Sequence, residues 1–397
     1  MLKQLRLFLC LFLSLNAFAQ DQATPEEVYN YFKDGLVFEH AEANFLAKVS
    51  FRIQSRFTYE SEDSEKYSPD LLNFEVRRTR LKLEGNILDP RLLYKFQFSF
   101  TRGDFDYDRT DYPNVLRDAA VGWKLSDATT FWYGQTKLPG NRQRVTSSGS
   151  QQFVDRSLLN STFNIDRDLG FQLYHRMGSA RPFWVKFAIS NGEGRATNNT
   201  DDGLAYTARV EWLPLGNFED GGDYFEGDLA RETEPKISVG AVYSTNKKTT
   251  RPGGQLGRQY ETEDLYRDID TYFADLLFKY RGFSWSTEYA RRWTNGAVFS
   301  DGAETVAIYK GQAVNTQAGY LFENNIETAL RFTKLWAETE ALPGVNDQNQ
   351  YTMAVSKYIN EHKIKVQSDL TYSEDLNRLS DLYDGQWIFR MQLEIGI

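Results

Sequence analysis

At 76–85 the chain reads VRRTRLKLEG, which places Arg77, Arg78, Arg80 and Lys82 within six positions. Guanidinium and ammonium groups this dense on a low-dielectric wall concentrate anions, and guanidinium holds oxyanions through two parallel hydrogen bonds. The alternative use of the same charges is to brace carboxylates such as Glu84 and nearby loop aspartates. Other residue types that could do chemistry are sparse. The three histidines, His40, His175 and His362, are far apart and on different elements, with no Ser/His/Asp arrangement in view. GGQLG at 253–257 lacks the lysine and spacing of a phosphate loop. DFDYDRTDYP at 104–113 alternates aspartates, but Arg109 stands where a calcium loop needs glycine, so a solvated acidic loop is expected. These residues predict neither an enzyme, nor a cofactor, nor a metal site.

The comb is basic, yet the formal net charge is -9. MLKQLRLFLCLFLSLNAFA at 1–19 has a basic start, an apolar run and Ala17-Phe18-Ala19, the pattern of a cleaved secretory signal. Loss of Lys3 and Arg6 with it would take the charge from -9 to -11. So acidic a chain is not built to bind nucleic acid. Cys10, the only cysteine, lies in that segment, which excludes a disulfide framework or a cysteine nucleophile in the exported chain.

The remaining elements must carry the comb in an aromatic-rich chain: 28 Phe, 23 Tyr and 8 Trp make 15% of the residues, beside 25% charged. After residue 19 there is no uncharged apolar run long enough for a membrane helix. That combination fits a transmembrane β-barrel, in which every second residue faces water. The tail QWIFRMQLEIGI separates Trp387, Phe389, Met391, Leu393, Ile395 and Ile397 from Gln386, Ile388, Arg390, Gln392, Glu394 and Gly396. A period of two puts these sets on opposite faces. The same alternation recurs in 44–60 and 92–102 and, less cleanly, in 362–373. Further strands are expected at 74–87, 115–125, 129–137, 169–177, 182–191, 204–213, 236–245, 269–280, 283–293, 312–322, 326–336 and 350–359. With 386–397 the total is sixteen. An even count is what a single-chain outer-membrane barrel requires. The fold expected is therefore all-β, a sixteen-stranded antiparallel transmembrane barrel over 44–397.

The connections support the count. Those at 88–91, 126–128, 178–181, 281–282, 323–325 and 360–361 are short, with one longer exception at 214–235. The alternate connections, 61–73, 103–114, 138–168, 192–203, 246–268, 294–311, 337–349 and 374–385, are all longer. Short turns on one side and long loops on the other are the outer-membrane arrangement. The turn 214–235 is too Gly-rich and charged to be expected as a buried element. Segment 20–43 precedes the barrel on the periplasmic side. Within it TPEEVYNYFKDG at 24–35 predicts a short helix, with Thr24 as cap, Pro25 at the first turn and Glu27 completing a capping box. The 31-residue connection 138–168 carries apolar anchors Phe153, Val154, Leu158, Leu159, Phe163 and Ile165. Such anchors predict packing, and the lumen of a wide barrel is the place for it, which makes this third long loop a constriction.

VRRTRLKLEGNILDPRLLYKFQFSF at 76–100, DAAVGWKLSD at 118–127, and RQRVTSSGSQQFVDRS with DRDLGFQL in and after the long loop resemble the phosphate-selective porins O and P. The resemblance is strongest over about 74–175. It implies a homotrimer of sixteen-stranded barrels in the outer membrane, embedded in its lipid, with the third loop folded inward. It also implies lumen arginines and lysines that guide phosphate or similar small anions. Two departures concern selectivity, the acidic net charge and the weakly cationic loop; the chain also ends on Ile397 rather than an aromatic.

By strand phase, Arg78, Arg80 and Lys82 share a water-facing side opposite Leu81 and Leu83, and Arg77 falls out of phase, at a strand end or on a bulge. Arg52 and Arg56, and Lys95, face the same way on the adjoining strands. With Lys137, Arg142, Arg144 and Arg156 they form the expected pore-lining set. Two other functions stay open. A channel specific for oligosaccharide would need an aromatic track in the lumen, for which Tyr174 and loop tyrosines are available. A structural or adhesive outer-membrane protein would have a lumen closed to ions.

Overall fold

The computed structural model describes residues 35–62, 68–104, 114–195, 197, 202–257, 266–300, 305–338, 345–377 and 382–397. The expected signal segment and the helix expected at 24–35 lie outside them, apart from Gly35. The strands are β1 (Leu36–His40), β2 (Phe45–Ser61), β3 (Leu71–Ile87), β4 (Asp89–Ser99), β5 (Leu116–Lys124), β6 (Thr129–Lys137), β7 (Arg167–Met177), β8 (Phe183–Ser190), β9 (Ala205–Trp212) and β10 (Lys236–Thr249). They continue as β11 (Arg267–Tyr280), β12 (Phe283–Thr294), β13 (Val298–Ser300), β14 (Thr305–Ala307), β15 (Gly311–Leu321), β16 (Ile326–Ala337), β17 (Asp347–Asn360), β18 (Ile364–Asn377) and β19 (Leu382–Gly396).

Sixteen of these close a barrel. Each pairs antiparallel with its sequence neighbour from β2 to β12 and from β15 to β19, with β12 joined to β15. The ring shuts where Arg52–Ser61 of β2 pairs with Trp387–Gly396 of β19. Closure leaves no lipid-facing edge, which a bilayer demands because backbone groups find no water there. Below the seam β2 runs on past the end of β19, and β1 pairs with Phe45–Val49 there, covering the exposed edge. Strands β13 and β14 form a separate hairpin within one long loop.

Side chains are sorted inside out, as the period of two dictates. Large apolar residues such as Leu72, Phe74, Phe171, Leu330 and Met353 stand exposed on the outer wall. Gln54, Arg209, Glu211, Lys365, Gln367 and Glu394 are buried on the inner one. At the short-turn end, Arg281 and Gly282 both take positive φ, 47° and 84°, the geometry of a tight two-residue hairpin. One expected long loop is shorter: strands β18 and β19 run on to Asn377 and from Leu382, so only 378–381 separates them.

Two of the register shifts bring extra basic residues to the inner wall. Between β2 and β3 the register passes from Gln54↔Arg78 to Ser55↔Val76, so Arg77 is the extra residue. Between β4 and β5 it passes from Gln97↔Asp118 to Phe98↔Leu116, so Arg117 is extra. A bulge lets two consecutive residues face the same side. Both pairs, Arg77–Arg78 and Arg117–Asp118, line one inner cavity.

Connection 138–166 holds two short helices, α1 (Arg142–Val145) and α2 (Leu158–Phe163), the second capped by Ser157. It meets the inner faces of strands around most of the ring. Leu159 and Phe163 pack with Val242, Phe273, Ala290, Ala313 and Leu335, an apolar patch on β10, β11, β12, β15 and β16. Asn141 donates to Glu288 at 2.9 Å and Gln152 to Glu327 at 2.6 Å. Lys365 donates to the Gln151 carbonyl at 2.9 Å, and Gln54 to the Ser148 carbonyl at 3.3 Å.

The connection 213–235 departs from expectation. It was too charged to be expected as a buried element, yet Phe218, Glu226, Asp228 and Glu232 are buried. Its charges are satisfied rather than solvated. The Glu226 carboxylate accepts from the Gln152 amide at 2.9 Å and from the Gln143 side chain at 3.1 Å. Its own backbone N–H donates to the Ser150 carbonyl at 2.9 Å. Asp228 accepts from the Gly282 amide at 2.7 Å. The turn thus meets the 138–166 connection from the opposite end of the barrel.

Candidate functional site

A cavity of about 490 Å³ lies between the inner wall of strands β3 to β7 and the 138–166 connection. Arg77, Arg78, Arg80 and Lys82 of β3 line it, with Lys95 of β4, Arg117 of β5, Lys137 of β6 and Arg167 of β7. Arg144 and Arg156 reach it from the connection and Arg195 from beyond β8. Among the described residues, three carboxylates, Asp104, Asp118 and Asp166, stand against these eleven basic groups. A second cavity of about 780 Å³ lies toward the short-turn end. The two share Lys95, Lys137 and Val145 in their linings, so they meet there.

Most of the expected cations are paired. Arg80 meets Asp104 at 2.5 Å, and Arg78 lies 3.5 Å from Asp155 and 4.0 Å from the other oxygen of Asp104. Lys82 pairs with Glu84 at 2.5 Å. Arg56 pairs with Asp155 and Glu75. Arg52 donates to Ser148 at 2.8 Å and lies 3.7 Å from Glu394. Arg144 pairs with Asp166. Arg142 donates to Asp275 at 2.8 Å and to Ser238 at 2.7 Å, tying α1 to β10 and β11. Arg52, Arg56 and Arg142 line neither of the two cavities.

Three of the expected set have no carboxylate partner among the described residues. Lys95 donates only to the Thr136 hydroxyl, at 3.3 Å. Lys137 donates to the carbonyls of Val145 and Thr146 at 3.0 and 3.3 Å. Arg156 donates to the carbonyls of Gln143 and Thr146 at 2.6 and 2.8 Å. Their contacts orient the groups without neutralising them, and two of the three stand where the cavities meet.

Asp104 corrects the expectation of a solvated acidic loop. It is buried beneath Arg78, Arg80 and Arg117, and accepts from Ser99 at 2.7 Å. Although burial opposes its charge, Arg80, Arg117 and Arg78 hold its carboxyl well below the ordinary range. Residues 105–113 lie outside the described residues. Arg77, Arg117 and Arg195 escaped the strand-phase reading. The signal for the first two was present as adjacent polar residues, RR at 77–78 and RD at 117–118, that a regular strand cannot turn the same way. His362 is packed between the Tyr358 and Phe225 rings. No metal-ligating cluster occurs among the described residues.

A closed sixteen-stranded barrel, apolar outside and lined by charge within, defines an outer-membrane porin channel. The chain belongs to the phosphate-selective porin O and P family, whose model matches residues 48–322. No curated protein sequence matches it significantly. Among solved structures, OmpF of Salmonella typhi in complex with daunomycin is similar at 14% identity and a TM-score of 0.55, over 90% of this chain and all of that one. An anion-selective porin from Comamonas acidovorans shows 11% identity and a TM-score of 0.55, over 88% and 99% of the two chains. The outer membrane channel DcaP of Acinetobacter baumannii shows 12% identity and a TM-score of 0.55, over 91% and 99%. At these identities the likeness is one of fold.

Proposed function

We propose that this porin passes small hydrophilic anions, phosphate among them, along the β3–β7 wall, with connection 138–168 as the constriction. The observation that carries the reading is the cavity lining, eleven basic groups against three acidic. Its positive charge persists in an acidic chain because it is confined to a wall and walled off by low-dielectric protein. Paired groups such as Arg78 and Arg80 hold the wall together, and Lys95, Lys137 and Arg156 supply the field an anion meets. Several moderate sites in series release an ion to the next more readily than one tight site.

The pore-lining residues of this reading are Arg78, Arg80, Lys82, Lys95, Lys137, Arg144 and Arg156. The active form is a homotrimer in outer-membrane lipid, reached after cleavage of the 1–19 signal; the trimeric form recorded for OmpT of Vibrio cholerae, 12% identical over a similar barrel, supports this. Single-channel recording in planar bilayers tests the proposal. The reversal potential in a salt gradient is expected to report anion preference, and neutralising Arg78, Arg80 and Lys82 together to move it toward cations. A cation-selective or non-conducting channel overturns the anion reading. An unshifted potential in the triple variant assigns those three groups to bracing alone.

A further inference from the structure

The two cavities differ in kind. Among the described residues, no aromatic side chain lines the cationic one. The larger cavity at the short-turn end is lined by Trp132, Tyr174, Trp184 and Tyr224 together with Lys186 and Arg176. Strand alternation sends most aromatics of this chain to lipid, as with Tyr133 and Phe171 beside them. These four, from β6, β7, β8 and the 213–235 turn, have gathered in one place beside a fifth ring, Phe218.

The wall is shaped around one of them. Gly122 of β5 faces Trp132 in register, and a Cβ there would come within 2.8 Å of the indole ring. The indole therefore lies across the glycine, flat against the sheet. On the far side Lys186 sits 5.8, 5.4 and 5.0 Å from the ring centres of Tyr174, Trp184 and Tyr224. Its charge is answered by Glu211, so these rings are polarised without leaving a strong free anion site among them. The basic groups that an anion could use lie at the rim: Lys95 and Lys137 where the cavities join, and Arg176, which reaches Asn217 at 3.3 Å.

We propose that this vestibule is a weak binding subsite for an anion that carries a ring, with hexose phosphates as the ligand class. The proposal deepens the anion reading above and rests on it. The phosphate would sit on the Lys95–Lys137 rim, where bonds to charged donors are strongest. The C–H face of the sugar would lie on the Trp132 indole, a large apolar surface that costs little ordering. A cavity of about 780 Å³ falls within the ~300–1,000 Å³ range of small-molecule sites. The bland alternative is that the rings serve only to cage Lys186. Trp132 separates the two, since its removal leaves the three rings around Lys186 in place.

The test is block of chloride current through the purified porin in planar bilayers by glucose 6-phosphate, methyl phosphate or glucose. Glucose 6-phosphate is expected to reduce current at about fivefold lower concentration than methyl phosphate. Trp132→Ala is expected to abolish that advantage, and Trp132→Phe to retain most of it. Equal potency of the two phosphates, or an advantage that survives Trp132→Ala, overturns the proposal. Glucose as potent as glucose 6-phosphate overturns it too, by making the site one for neutral sugar. The reversal potential in potassium chloride alone keeps the two readings apart. Cation preference there sinks the anion reading, whereas anion preference without ring preference sinks only this subsite.

Discussion

Lys95 and Lys137 show how much a partner's identity matters to a charged side chain. Both sit on the same wall as Lys82, but Lys82 faces Glu84 while they face a hydroxyl and two carbonyls. A unit charge about 4 Å from a passing ion contributes ~1 kcal/mol even in water, roughly fivefold in occupancy. Lys95→Gln and Lys137→Gln are therefore each expected to lower the anion-to-cation permeability ratio about fivefold, read from reversal potentials. Lys82→Gln, which also frees Glu84, should have its main effect through that unmasked carboxylate. Asp155 makes the complementary case. Burial opposes its charge, but Arg56, Arg78 and Arg390 hold its carboxyl well below the ordinary range. A depressed carboxyl contributes stability that is complete above its unfolded value, about 4, and lost only as the pH falls through its folded value. The hold of Asp155 on the constriction should thus be undiminished from neutral pH down to about 4. Asp155→Asn should raise conductance fluctuations throughout that range, and an unchanged record would remove Asp155 from the anchoring of the constriction.

At the scale of elements, two connections from opposite ends of the barrel meet at Glu226. Its carboxylate takes two hydrogen bonds from the 138–166 connection, and its backbone takes part in others. Leaving a buried donor without its acceptor costs about 1–3 kcal/mol. Glu226→Ala is expected to loosen the junction, seen as larger and noisier conductance and a lower unfolding temperature; Glu226→Gln, which keeps one acceptor oxygen, should fall between. The bulges act at the same scale. In a regular strand Arg77, next to the inward Arg78, would face outward against lipid, where a charge costs about 2–4 kcal/mol at the midplane. Deleting Arg77 should restore unbroken register and shorten the cationic row, with a fall in anion preference as the readout.

For the whole molecule, net charge and selectivity separate. The formal charge is -9, yet the lining of the β3–β7 cavity is basic. What an ion feels is the charge within a screening length, about 10 Å at 0.1 M salt and 3 Å at 1 M. Anion preference is therefore expected to be strong at 0.1 M and to weaken markedly at 1 M, measured as permeability ratios at equal concentration gradients. A preference unaffected by salt would point to a narrow steric filter rather than a field.

The residues by themselves determined the sheet. Sixteen strands, the alternation of their faces and the parity of short and long connections are written in a period of two, which any stretch of ten residues displays. They also singled out 138–168, because apolar anchors such as Leu159 and Phe163 have no place in a solvated loop. What the tertiary structure alone decided is which charges cancel. Arg142 meets Asp275, Arg78 meets Asp155 and Arg52 meets Glu394, each across a separation in sequence that no local pattern encodes. Such partners pair Arg78 and Arg80 with carboxylates and leave Lys95, Lys137 and Arg156 on neutral acceptors among the described residues. Side-chain type follows from sequence; the field a charge produces follows from what the fold brings within 4 Å of it.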